Sequence, residues 1–315
     1  MQNYSRPLDT NKVVEDFLRH SLLFDYTQEA KLKDIIPKIV DGELGVSKFN
    51  TENQTLSMKD MRDATYRDDK VRWELRKQIV NELYSKKRLT NDDRIELTKG
   101  GALPRSPLKS DRQAFILIGL PASGKSGIAS LISDDYGALI VDSDFAKRKL
   151  PEYKSHLYGA SIVHEESSRI TFGFQDPNVS NIKSVYELAI INGNNIIIPR
   201  IGQNPESVIN LATVLKVEQN YKVHLVLVSL PKREATIRSI FRYAESKRYV
   251  PLGLIFDGYG NDPSHCYYYL RCKYDGLFES FGVVLTVDKH PVYTDVKGHS
   301  PVLKYNKKDV ILQLP

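Results

Sequence analysis

Residues 115–126 read FILIGLPASGKS, and this stretch decides the fold. The apolar run Ala114–Ile118 predicts a strand buried on both faces, broken at Gly119. From Gly119 the residues fit G-x-x-x-x-G-K-[ST], with Gly124, Lys125 and Ser126 in the required places. Glycine at 119 and 124 lets the backbone curl with its N–H groups inward, where a side chain would collide with phosphate. A helix starting at Lys125 adds its positive N-terminal end. Gly119, Leu120, Pro121, Ala122, Ser123, Gly124, Lys125, Ser126 and Gly127 are therefore the expected nucleotide-binding residues. Lys125 is placed to reach the terminal phosphates, and the Ser126 hydroxyl to take a position on Mg²⁺.

Outward from this loop, strand-like runs alternate with helical ones. Ala138–Val141, Asn195–Ile198, Val223–Ser229 and Val283–Val287 read as further strands. Asn204-Pro205 opens a helix with Val208, Leu211, Ala212 and Leu215 on one face. Another begins near Pro231, with Ile237, Ile240, Phe241 and Ala244 on its apolar side. The pattern predicts an α/β fold: a P-loop kinase-type parallel sheet flanked by helices, with an N-terminal helical extension. The linker-like GGALPRSP at 100–107 suggests a helical region over 1–108 and the P-loop domain over 109–315. Within the first region, residues 11–40 read as helix in two pieces, interrupted near Pro37 and ended at Asp41-Gly42. A longer helical pattern covers 57–88, with Val71, Leu75, Ile79 and Leu83 spaced by four. Arg72, Arg76, Lys77, Lys86, Lys87 and Arg88 on its other face are expected to be solvated.

Composition narrows the class. The 315 residues carry 45 basic and 39 acidic side chains, a net charge of +6, too mild by itself to call for nucleic acid. Two cysteines, Cys266 and Cys272, cannot build a disulfide scaffold or a four-ligand zinc site. The opening MQNYSRPLDT is polar and no apolar run approaches membrane-spanning length, so a cytoplasmic protein without membrane contact is expected.

The second strand ends in Val141-Asp142-Ser143-Asp144. Two carboxylates beside the phosphate loop suit phosphoryl transfer: one helps hold Mg²⁺, the other accepts the proton of an acceptor hydroxyl. The alternative is a pair of helix-capping aspartates. Arg238, Arg242, Lys247 and Arg248, on and just after the helix that follows the fourth strand, are candidates to cover the β,γ bridge and exclude water.

The order of these parts resembles the zeta-toxin family of P-loop kinases. The segments that carry it are GLPASGKS, IVDSD followed by FAKRKLPEY, NGNNIIIPRIGQ, YKVHLVLVSLP and TIRSIFRYAESKR, together spanning about 112–287. The resemblance implies transfer of phosphate from ATP, with Mg²⁺, to a hydroxyl of UDP-N-acetylglucosamine, and inhibition by a small helical antitoxin. It implies Asp144 as general base, Lys125 on phosphate, Ser126 at the metal, and Arg242 with Arg248 as transition-state arginines, which leaves Asp142 as the carboxylate expected to help hold Mg²⁺. Members carry an acidic residue where this chain has Pro199-Arg200-Ile201-Gly202-Gln203, and another where Lys183 stands. Such exchanges alter how an acceptor is held, so Lys183, Arg200 and Gln203 are candidate substrate residues for a more anionic acceptor. The expectation is an ATP- and Mg²⁺-dependent kinase of a nucleotide sugar or related small molecule, a growth-inhibiting toxin restrained by a helical antitoxin in cis or in trans. The alternatives are an NAD or other nucleotide kinase, a polynucleotide kinase, or a nucleotide-binding regulator without transfer.

Overall fold

The computed structural model describes residues 7–24, 29–48, 54–155, 159–174, 182–246 and 249–305. Its centre is a six-stranded sheet in the order β2-β3-β1-β4-β5-β6. The strands are β1 Gln113–Ile118, β2 Leu139–Ile140, β3 Ile196–Pro199, β4 Lys222–Ser229, β5 Ser280–Leu285 and β6 Val292–Lys297. The first five run parallel, as the alternating pattern predicts, whereas β6 pairs antiparallel with β5. Strand β1 is fully buried from Ala114 to Ile118, which accounts for its unbroken apolar reading. The expected fifth strand starts three residues earlier and ends two earlier, because the edge residues Val292–Lys297 pair alongside it.

Twelve α-helices surround the sheet among the described residues: α1 Asn11–Asp16, α2 Glu29–Lys48, α3 Asp69–Ser85, α4 Lys125–Tyr136, α5 Ser143–Lys149, α6 Glu152–Ser155, α7 Gly159–Ile162, α8 His164–Phe172, α9 Val185–Ile191, α10 Pro205–Thr213, α11 Lys232–Ser246 and α12 Asp262–Lys273. The chain leaves β1 for β2, returns to β3, then crosses to β4 on the other side of β1. In such sheets the crevice beyond the carboxyl ends of the strands at this reversal is the place for a ligand.

The N-terminal part divides in two. Helix α2 does not stop at Asp41-Gly42 but runs through Pro37 and Gly42 to Lys48. Proline costs the helix one backbone bond, yet Pro37 is on the exposed side while Ile39 is fully buried. At Gly42 the reason is close approach: an added Cβ would lie 2.6 Å from the Tyr249 ring. Leu8, Val14, Phe17, Leu18, Leu22 and Ile39 form one apolar cluster with Ile240 and Tyr243 of α11, and with Tyr249 and Leu252. Arg233 Nε of α11 donates to Leu22 O at 2.8 Å, and Tyr249 Oη donates to Glu43 Oε2 at 2.6 Å. The extension is thus seated on α11.

Helix α3 belongs instead to the sheet's own core, through Leu75, Ile79, Val80 and Leu83. It starts at Asp69, where Asp68 caps the N–H groups of Lys70 and Val71, later than the sequence pattern suggests. The expectation of a wholly solvated basic face is overturned. Arg72 is fully buried, and Arg76 and Arg88 are nearly so. Arg72 donates to both Glu166 oxygens at 2.7 Å and to Glu152 Oε1 at 2.8 Å, while Arg76 Nε donates to Glu166 Oε1 at 2.7 Å. These bonds tie α3 to α6 and α8. Burial alone would push the Glu166 carboxyl up, but the bonds and charge of Arg72, with the charge of Arg76, hold it down at about 2.

Removing one member of such a cluster leaves a buried charge without compensation. Arg72→Ala is therefore expected to lower stability by about 3–5 kcal/mol in urea unfolding. The depressed Glu166 value gives a second expectation. Its stabilisation is complete above the ordinary 4.5 and is lost as pH falls towards about 2. Acid unfolding of Arg72→Ala should accordingly show a weaker dependence on pH in that window than wild type.

Candidate active site

The phosphate loop follows β1. Ala122 and Gly124 have positive φ of 60° and 89°, so the backbone turns its N–H groups into a concave nest that opens onto the N-terminus of α4. Gly119 is needed for space: an added Cβ would sit 2.4 Å from Val228 O and 2.9 Å from Ser123 Oγ. The Ser123 Oγ is buried and has no hydrogen-bond partner among the described residues, a polar atom inside a loop built for anions. Lys125 Nζ donates to the carbonyls of Gly119 and Leu120, both at 2.6 Å, which folds it over the loop. Ser126 is exposed in the first turn of α4. Outside bonds hold the cradle in place. Thr286 Oγ1, beyond β5, donates to Ser123 O at 2.6 Å, and Arg88 donates to Ser130 Oγ at 2.8 Å and Asp134 Oδ1 at 2.9 Å on α4.

Asp142 follows β2 and caps α5, its Oδ1 accepting from the Asp144 N–H at 2.9 Å. The capping alternative therefore holds for Asp142. Asp144 lies in the first turn of α5, half-buried, with Lys147 Nζ donating to its Oδ1 at 3.1 Å. The far end of α5 is anchored by Lys149, whose Nζ is buried and donates to Glu82 Oε2 and Gly100 O, each at 2.7 Å. The aspartate pair is thus mounted on a short helix pinned at both ends.

The remaining candidates are distributed around the same edge of the sheet. Arg242 of α11 pairs with Asp93 at 3.6 Å. Arg238 donates instead to the carbonyls of Thr286 and Val287. Arg200 follows β3, with its guanidinium 4.5 Å from the centre of the Phe172 ring and within the field of Asp142. Gln203 is half-buried in the turn that follows. Lys183 is exposed just before Ser184, the N-cap of α9, and makes no ion pair among the described residues. Lys247 and Arg248 lie outside the described residues. Two contributors escaped sequence reading: Arg148, one turn after Asp144, and Asp93, on the single 3₁₀ turn Asp92–Arg94. The i, i+4 spacing made Arg148 findable, while nothing in sequence ties Asp93 to α5. A cleft of about 410 Å³, bordered by Arg112, Tyr221 and Lys222, lies at the opposite ends of β1 and β4 and is separate from this site.

Residues 102–258, which hold the loop, the aspartate pair and most of α11 and its surroundings, match the Zeta toxin family model. This part of the chain belongs to the zeta toxin family. A curated relative, Toxin zeta of Streptococcus agalactiae, is 27% identical over 164 residues, covering 48% of this chain and 51% of the relative. The chain thus spans about half the length of that relative. Similar solved structures include a chain of the PezAT chromosomal toxin-antitoxin system of the human pathogen Streptococcus pneumoniae. It is 16% identical, with 80% of this chain and 90% of that chain covered and a TM-score of 0.49. Another is AvrRxo1-ORF1:-ORF2 with ATP, 15% identical, covering 75% of this chain and 69% of that chain, with a TM-score of 0.42.

Asparagine can cap a helix as well as aspartate but carries no charge. Asp142→Asn is expected to unfold within about 0.5 kcal/mol of wild type, whereas Asp142→Ala should lose about 1 kcal/mol. Chemical denaturation of both variants checks the cap apart from any role in metal binding.

Proposed function

We propose that the protein is an ATP-dependent phosphotransferase that acts on a hydroxyl of a nucleotide sugar or related small molecule, and that it serves as a growth-inhibiting toxin. The observation that carries this reading is the common carboxyl-end edge of the parallel strands, where the phosphate loop follows β1 and the Asp142–Asp144 pair follows β2, one strand away across β3. Glycine spacing, the positive φ of Ala122 and Gly124, and the orphaned Ser123 hydroxyl all fit the phosphates of ATP. Ser126 and Asp142 would hold Mg²⁺, which when bound supplies charge neutralisation on those phosphates.

The chain's own residues do the rest. Asp144 accepts the proton from the acceptor hydroxyl, with Lys147 Nζ 3.1 Å from its Oδ1. Lys125 leaves the loop carbonyls for the terminal phosphates, trading two neutral acceptors for a charged one. Arg242, with Arg248, neutralises charge that develops during transfer. Arg200 and Gln203 line the acceptor side after β3, where a cation in place of the family's carboxylate favours an acceptor more anionic than UDP-N-acetylglucosamine.

The N-terminal extension supports a restraint in cis, because the helix that carries Arg242 is the one on which α1 and α2 are seated. A charge introduced at the buried Ile39 should unseat it, so Ile39→Asp in the full chain is expected to raise transfer several-fold; unchanged turnover removes the restraint.

Incubation of the protein with labelled ATP and a metabolite pool, followed by mass spectrometry, identifies the product. Asp144→Asn should keep ATP binding and lower transfer by at least about 10²-fold. Retained transfer would remove Asp144 as the base, and nucleotide binding without transfer to any acceptor would favour a regulatory protein.

A further inference from the structure

Two guanidiniums from different elements converge on one carboxylate oxygen. Arg148 Nη2 of α5 donates to Asp93 Oδ1 at 2.6 Å, and Arg242 Nη2 of α11 lies 3.6 Å from the same atom. The burial of the partners is unequal. The Arg148 side chain is 6% exposed, whereas that of Asp93 is 55% exposed on a turn of three residues. A nearly buried cation is costly without an anion. Here the directly bonded anion is a half-solvated side chain, and exposed pairs of that kind contribute little. The partly buried Asp92 also lies in the field of Arg148. The other bond of Arg148, from Nη1 to Asp144 O, is long at 3.5 Å. This is the arrangement of an anion subsite whose present occupant can be exchanged.

Position says which anion. Asp144 and Arg148 are four residues apart on α5, and therefore on the same face of the helix. The Arg148 guanidinium, 3.5 Å from the Asp144 carbonyl, then stands one helical turn from the carboxylate proposed to receive the acceptor's hydroxyl proton. It is on the helix after β2 and not in the phosphate loop after β1. A phosphate offers more charge than a carboxylate, and oxygens to both members of a guanidinium fork.

We propose that Arg148 is a binding residue for a phosphate group of the acceptor, and that the Asp93 carboxylate, which also lies near Arg242, occupies this subsite as an internal anion until the acceptor displaces it. The assignment rests on Asp144 as the acceptor's base, and it narrows the substrate to a phosphate-bearing molecule. It also makes Asp93 a competitor whose removal strengthens binding.

The test uses the full chain saturated with Mg²⁺ and a non-hydrolysable ATP analogue, with inorganic pyrophosphate as probe in calorimetry. Asp93→Asn, an isosteric change at an exposed position, is expected to tighten pyrophosphate binding about tenfold. Arg148→Gln should weaken it by a similar factor and cancel the gain when the two are combined, while Arg148→Lys should recover part of it. An unchanged affinity in Asp93→Asn overturns the proposal. A gain seen only when the ATP analogue is omitted also overturns it, since the subsite would then serve the nucleotide's own phosphates. Failure of the kinase reading is seen separately, as absence of γ-phosphate transfer by the wild-type protein to any acceptor.

Discussion

Strand β1 is hydrogen-bonded on both sides, to β3 and to β4, in parallel register, and the rest of the molecule depends on that double pairing. A central strand with both neighbours parallel must be covered on both faces. Its carboxyl end then opens at the edge where the chain reverses direction across the sheet. The phosphate loop, the Asp142–Asp144 pair and the Arg200 turn follow β1, β2 and β3 and reach this edge because their strands are neighbours. The site is a consequence of sheet order before it is a consequence of any side chain.

Around that edge the structure uses charge for position. Arg88 braces α4, Lys149 fastens α5 to α3 and the 96–100 turn, and Arg72 with Arg76 joins α3 to α6 and α8. Each is a cation with little or no solvent exposure; Arg72, Arg88 and Lys149 are met by several acceptors, whereas Arg76 has Glu166 as its acceptor and lies over the Trp73 ring. Apolar contacts could supply as much stability, but directional bonds of this kind also define where α5 stands relative to the phosphate loop. The same physics explains why Arg148 is different. Its chief partner is half-exposed and replaceable, so it reads as part of a site rather than part of the frame.

Several sequence readings needed revision, each for a nameable reason. Helix α2 passes through Gly42 because that glycine makes room for the Tyr249 ring, a contact more than two hundred residues away that no local rule anticipates. The basic face of α3 has the composition of a solvated surface. Its burial became apparent only when Glu152 and Glu166, well downstream, came to lie against it. Asp93 sits in a polar turn with no motif around it and gains meaning only from two arginines on separate helices. By contrast, the loop, the strand alternation and the aspartate pair were legible because their chemistry is local: a few adjacent residues specify the turn, the cap and the strand.

By itself, the sequence determined the phosphate loop, the parallel α/β framework and the order in which functional segments follow their strands. These depend on patterns a few residues long, where backbone conformation and side-chain periodicity are set locally. Only the tertiary structure decided that α1 and α2 rest on α11, that the arginines of α3 are interior, and that Asp93 joins Arg148 to Arg242. Those outcomes depend on which distant surfaces meet, since a charge is solvated or buried according to its neighbours in space and not in sequence.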